Sequence, residues 1–142
     1  MRVFSLTVTS VACAAGLLWS SVAQADWREL VKEETGDYYF DQASVMSIHV
    51  SRLAWTLADL PHAGKTASGA TYQSVMVRWR LYCRNDTIIQ LAVSYFEKPM
   101  GKGKEVEKED FLEWRSREMA IRPSTYLAAL KNEVCSARSV AG

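Results

Sequence analysis

The stretch Val75-Met76-Val77-Arg78-Trp79-Arg80-Leu81-Tyr82-Cys83-Arg84, followed by Asn85-Asp86 and then by Thr87 to Phe96, decides the fold class. Side chains alternate between the two faces of a strand, so Val75, Val77, Trp79, Leu81 and Cys83 fall on one side and Arg78, Arg80, Tyr82 and Arg84 on the other. An alternation this regular predicts a half-buried antiparallel strand with Cys83 on its core face. The run 87–96 repeats the logic, with Ile89, Leu91, Val93 and Tyr95 on one side and Gln90, Ala92 and Ser94 opposite. Asn85-Asp86 has turn chemistry, so the two runs are predicted to form a hairpin. Directly paired residues share a face, and both core sets are odd-numbered. A two- or four-residue loop would set odd against even, so the pattern predicts an odd-length connection or a bulge near Asn85.

Working outward, His49 to Leu60 reads as a strand with Leu53, Trp55 and Leu57 in phase. Pro61-His62-Ala63-Gly64-Lys65 breaks it, and a polar loop follows to about Ala70. Trp27 to Glu33 is predicted to pair with a short strand over Asp37 to Asp41, with a helical connector from Asp41 to Met46. On the other side, Lys98 to Glu105 and the charges up to Asp110 lack apolar periodicity and predict an exposed loop. Phe111 to Met119 reads as helix or irregular chain. Pro123-Ser124 marks a helix start with Ser124 as N-cap, after which Leu127, Leu130, Val134 and Cys135 form one apolar stripe. The expected class is therefore α+β: an antiparallel sheet of five to six strands with a C-terminal helix on one face.

The chain has 142 residues, 17 basic and 16 acidic side chains, 49% hydrophobic and 23% charged residues. That composition argues against disorder and against a polytopic membrane protein. A net charge of +1 supplies no strong field for nucleic acid or an anionic membrane. Arg2 is the only charge ahead of Asp26. An apolar run from Val11 to Trp19 leads to Ala23-Gln24-Ala25, a small-x-small cleavage site. This is the layout of a secretory signal peptide, so residues 1–25 are read as the signal, cut between Ala25 and Asp26, and 26–142 as one domain with no membrane span. Cys13 has Ser10 and Ala12 where a lipobox wants a large aliphatic and a small residue, and is discarded with the signal. The remaining 26–142 is charge-neutral and keeps Cys83 and Cys135, an even pair that reads as one disulfide in an oxidising compartment. It would pin the helix across the sheet.

No catalytic motif is present. No nucleophile elbow, phosphate loop, dinucleotide fingerprint or His-Glu-x-x-His occurs, and His49 and His62 are not spaced for metal. Glu105, Glu107, Glu109 and Asp110 are interleaved with Lys104 and Lys108, which suits a solvated charged segment better than a calcium loop. No cofactor and no enzymatic activity is expected. Arg78, Arg80 and Arg84 offer a candidate contact surface for an anionic protein partner. Ser68-Gly69-Ala70-Thr71-Tyr72 is similar to the Ser-Gly-x-x-Tyr motif of c-type lysozyme inhibitors, although that family places a cysteine before it, and gives an alternative as an inhibitor of an exported enzyme.

Several segments in order resemble the surface-adhesin protein E family of Gram-negative bacteria: Asp26-Trp27, Tyr38-Tyr39-Phe40-Asp41-Gln42-Ala43-Ser44-Val45, the Trp55 strand, and Ser74-Val75 leading to Cys83. Lys98-Pro99-Met100-Gly101, Trp114, Arg122-Pro123-Ser124 and Cys135 complete the series. The resemblance spans roughly 26–135. It implies a sheet of about six strands with a C-terminal helix tied to one face by a disulfide. It further implies a non-enzymatic exported protein at the periplasm, cell surface or medium, binding another protein such as a host matrix or envelope component.

Overall fold

Alternation builds the centre of the sheet, and short turns at its margins finish it. The computed structural model describes residues 24–136; Cys13 and nearly all of the predicted signal lie outside them. Within these residues the strands are β1 (Trp27–Glu33), β2 (Gly36–Asp41), β3 (Met46–Ile48), β4 (Ser51–Lys65), β5 (Thr71–Tyr82), β6 (Thr87–Phe96), β7 (Glu105–Asp110) and β8 (Met119–Ala120), followed by helix α1 (Tyr126–Val134). All pairings are antiparallel. The order across the sheet is β1-β2-β4-β5-β6-β7, with β3 on β4 and β8 on β6.

The near face receives α1. Leu130 and Val134 are fully buried there against Phe40, Ala54, Trp79, Leu81 and Ile88. Ala54 pairs with Trp79, and its small side chain leaves room for the indole. The buried indole N–H needs an acceptor and donates to Thr56 Oγ1 at 2.9 Å. Burying a leucine and a valine this fully is worth about 1.5–3 kcal/mol each. Cys83 and Cys135 are bridged, with Cα atoms 5.8 Å apart and 52 residues between them in sequence. Lys131 Nζ also meets Asp86 Oδ1 in the β5–β6 turn, and Ile121 N–H donates to Asp86 O at 2.8 Å. The helix is thus fastened to one turn by a covalent bond and an ion pair.

Several expectations are corrected. The N-cap of α1 is Thr125, whose Oγ1 accepts from Ala128 N–H; Ser124 adopts φ +60° and cannot serve. His49 sits in a turn at φ +51° rather than in the strand. The strand does not end at Leu60: after Asp59–Ser74, pairing resumes at Gly64–Tyr72, so residues 60–63 bulge opposite Gln73. Pro61, which has no N–H to give, falls inside that unpaired step. Cys83 and Arg84 lie just past β5, in the turn.

The phase of β4 is the reverse of that expected. Ala54 and Thr56 face the helix, while Leu53, Trp55 and Leu57 share the far face with Arg80, Arg78 and Met76. That face is not bare, because Leu53 and Leu57 are buried too. A 3-10 turn over Pro99–Gly101 lies against it: Met100 N–H donates to Asp59 Oδ1 at 2.6 Å and Gly101 N–H to the buried Ser74 Oγ at 2.9 Å. Gly101 has φ +65°, and a Cβ there would stand 3.1 Å from Met76 Sδ and 3.2 Å from Leu57 Cδ1. Glycine suits both requirements.

The β5–β6 connection is even, since Tyr82 pairs with Thr87. The bulge demanded by the odd-numbered core sets does occur, though not beside Asn85: the register shifts between Arg78 and Trp79, leaving Leu91 unpaired between Gln90 and Ala92. Before that point Ile88 is the core residue opposite Leu81, and Ile89 lies on the far face opposite Arg80. Beyond it Val93 and Tyr95 face the core side as expected. Glu105–Asp110, expected as a loop, is an edge strand on β6.

The bridge constrains the unfolded chain, so replacing Cys83 and Cys135 together by serine is expected to remove about 4 kcal/mol by the chain-entropy relation. Leu130→Ala is expected to cost about 2–5 kcal/mol. Urea unfolding measures both, and a loss below about 1 kcal/mol for each would show that α1 does not depend on this attachment.

Candidate functional site

The far face of β5 carries Arg78 and Arg80 while Arg84 lies in the turn beyond it, and the three do not form one free patch. Arg80 Nη1 is ion-paired with Glu113 Oε1 and its side chain is only 21% exposed. Arg78 is half-buried between Trp55 and Ala92, with no carboxylate partner among the described residues. Arg84 is exposed in the turn after Cys83. The three therefore divide into one side chain that holds a neighbouring segment and two that keep unpaired charge.

The segment held by Arg80 is the most exposed apolar part of the described chain. The bulge at Leu91 divides the outer edge of β6. β7 pairs with 92–96, β8 pairs with 87–88, and Phe111 N–H closes the gap by donating to Leu91 O at 2.9 Å. Between the two edge strands the chain turns outward through a 3-10 turn, Glu113–Arg115, tightened by Arg115 N–H to Leu112 O and Ser116 Oγ to Leu112 O. Two acids tether it: Glu113 to Arg80, and Glu118, which accepts from Thr87 Oγ1. Trp114 is 75% exposed, Leu112 55% and Met119 40%. Arg115 lies over the Trp114 ring, 4.7 Å from its centroid. A cleft of about 480 Å³ opens beneath, walled by Gln90, Phe111, Leu112, Arg115, Arg117 and Met119.

On the helix side of Met119 lies a second cleft of about 580 Å³, between the start of α1 and the β1–β2 hairpin. Its wall includes Tyr38 and Tyr126, stacked with centroids 4.2 Å apart and planes 13° apart. Burial, reinforced by Tyr38 and Glu33, pushes the Tyr126 phenol up to about 12.

The β4–β5 turn is tied down by its own polar and aromatic contacts. Ser68 Oγ donates to Glu107 Oε2 at 2.6 Å, and this bond, with help from Thr66, holds the Glu107 carboxyl below its ordinary range. Tyr72 packs edge-on to Tyr95 at 4.8 Å. The Ser68-to-Tyr72 stretch thereby closes the β4–β5 turn onto β7. No cluster of His, Cys, Asp or Glu able to hold a metal occurs among the described residues, and no helix there is long and apolar enough to cross a membrane. What the arrangement offers chemically is aromatic area and guanidinium donors. Sequence reasoning names Trp114 only among the residues of the family resemblance and gives Arg115 and Arg117 no role; the one local signal is a run of apolar residues without any period.

A family model described as surface-adhesin protein E matches residues 27–136. A search of curated proteins finds no match. Crystal form II of Haemophilus influenzae protein E is similar in fold, with TM-score 0.61 and 17% identity over 80% of this chain and 90% of that one. A second structure of Haemophilus influenzae protein E gives 0.61 and 17% over 85% and 92%. Protein E from non-typeable Haemophilus influenzae gives 0.60 and 17% over 85% and 82%.

The raised Tyr126 pKa has a definite sign. Its stabilising contribution is complete below the unfolded value of 10.0 and is lost as pH rises through about 12. Denaturant unfolding is expected to show this alkaline loss, on the order of 2 kcal/mol, and Tyr126→Phe is expected to remove it. An unchanged alkaline profile in that variant would contradict the burial argument.

Proposed function

The chain belongs to the surface-adhesin protein E family, and from that membership we propose that it is an exported, non-enzymatic protein-binding domain. The observation that carries the reading is Trp114, three-quarters exposed with Arg115 across its ring. Tryptophan and arginine are among the residues that most often anchor protein interfaces, and Leu112 and Met119 stand exposed on the same segment. Arg78 adds unpaired charge on the same face of β5 as Arg80, and Arg80 fixes the segment that bears Trp114.

Residues 1–25 serve as the signal in this reading, and 26–142 are the exported domain, in the periplasm, the medium or at the outer surface of a Gram-negative cell. Asp26 supports the boundary. Its N–H donates to Asp41 Oδ1 at 2.9 Å and its carbonyl accepts from Gln42 N–H at 3.0 Å. Cleavage before Asp26 would turn that donor into a charged amino group already placed on a carboxylate. N-terminal sequencing of the exported protein is expected to begin at Asp26; a retained leader would overturn the assignment.

The binding reading is tested on immobilised laminin, vitronectin and envelope proteins of the producing cell. Saturable binding to at least one is expected, and none at micromolar concentration would sink the proposal. Equimolar protein is expected to leave lysozyme turnover unchanged, since Ser68 and Tyr72 are engaged within the fold.

A further inference from the structure

The charges of residues 110–122 are sorted by direction. Glu113 and Glu118 are both turned back onto the sheet, onto Arg80 and Thr87, and Asp110 is paired with Lys108 at 3.3 Å. Arg115, Arg117 and Arg122 are exposed and have no carboxylate partner among the described residues. A stretch with three acidic and three basic side chains therefore presents a positive outer surface. That surface surrounds three of the five large apolar side chains that stand exposed among the described residues, Leu112, Trp114 and Met119.

We propose that this segment docks an acidic stretch of a partner protein that carries large apolar side chains. One such side chain seats in the cleft of about 480 Å³ beside Gln90, and flanking carboxylates meet Arg115 and Arg117. The proposal rests on the protein-binding reading above and gives it a location and a partner chemistry. Charge complementarity selects the acidic occupant: the unpaired charges of the segment are Arg115, Arg117 and Arg122, whereas Glu113 and Glu118 are engaged on the sheet and Asp110, which lines the cleft, is paired with Lys108. Guanidinium groups hold carboxylates in paired, directional hydrogen bonds. A partner carboxylate is also compatible with Arg115 remaining over the indole, since the cation–π contact uses its face and the hydrogen bonds its edge. The pairs Arg80–Glu113 and Thr87–Glu118 hold the segment at both ends before binding, which lowers the ordering cost of association.

The test uses the exported protein with a fluorescent decapeptide alternating glutamate and leucine, its counterpart with lysine for glutamate, and phosphatidylglycerol vesicles. Anisotropy is expected to saturate with the glutamate peptide alone, and amide NMR shifts are expected to cluster at 111–122 and Gln90. Trp114→Ala is expected to weaken binding by about tenfold or more, and Arg115→Glu with Arg117→Glu to abolish it. Both variants alter exposed groups and are expected to keep the wild-type melting temperature. Equal binding of the lysine peptide, no binding of the glutamate peptide, indifference to both variants, or uptake by vesicles in place of the peptide would each overturn the proposal. If an immobilised protein binds and Trp114→Ala leaves that binding intact, this docking site falls while the family reading stands. If the glutamate peptide is captured at Trp114 and no immobilised protein binds, the docking site stands and the adhesin reading falls.

Discussion

A nine-residue helix cannot hold itself together in water, and α1 is that long. Its persistence depends on what the sheet supplies: a dry stripe for Leu130 and Val134, a covalent bond at Cys135 and a carboxylate for Lys131. The inner face is arranged accordingly. Ala54 makes room, Trp79 fills it, and Thr56 supplies the acceptor that lets an indole be buried there. Removing the helix would expose this whole group to solvent, so helix and sheet face are two halves of one core. The bridge reaches the β5–β6 turn, next to the residues that also hold Asp86, and the attachment converges on a single corner of the sheet.

The far face follows a different rule. No long element covers it, and local chain does so in pieces: the turn over Pro99–Gly101 against Leu57 and Met76, and the turn over Glu113–Arg115 against Arg80. Each piece is secured by one or two polar bonds to side chains of the central strands. β4 and β6 also share a pattern at their edges. Each pairs with two short strands in tandem, separated by a 3-10 turn, and each gap is closed by one hydrogen bond: Trp55 N–H to Ser44 Oγ at 3.0 Å, and Phe111 N–H to Leu91 O. The display of Trp114 follows from the second gap. The chain must leave the sheet where β6 bulges, and it returns as β8 to lead into the helix.

What could be read from the residues followed from how many faces each element buries. β5 has one dry and one mixed face, so its alternation was plain, and the stripe on α1 with the even cysteine count gave the helix and its attachment. β4 is buried on both faces; the large residues Leu53, Trp55 and Leu57 dominate its pattern, while the small Ala54 and Thr56 are the ones under the helix. In β6, Ile88, Ile89 and Leu91 are all apolar, so nothing local told which of them was the extra residue. β7 looked like loop because an edge strand gains from charge: Glu105, Glu107, Lys108, Glu109 and Asp110 discourage pairing with another chain. The candidate site was the least visible part. Exposed apolar residues without a period look the same in sequence as an irregular piece of core, and only the fold separates Trp114 from Trp79.

The divided outer edge of β6 has a consequence for how such a domain diversifies. Residues added or lost between the two half-strands, where Leu112 to Glu118 now sit, move neither the register of the central ladder nor the corner where the sulfurs meet. This outer loop can therefore vary in length and sequence while the frame stays unaltered.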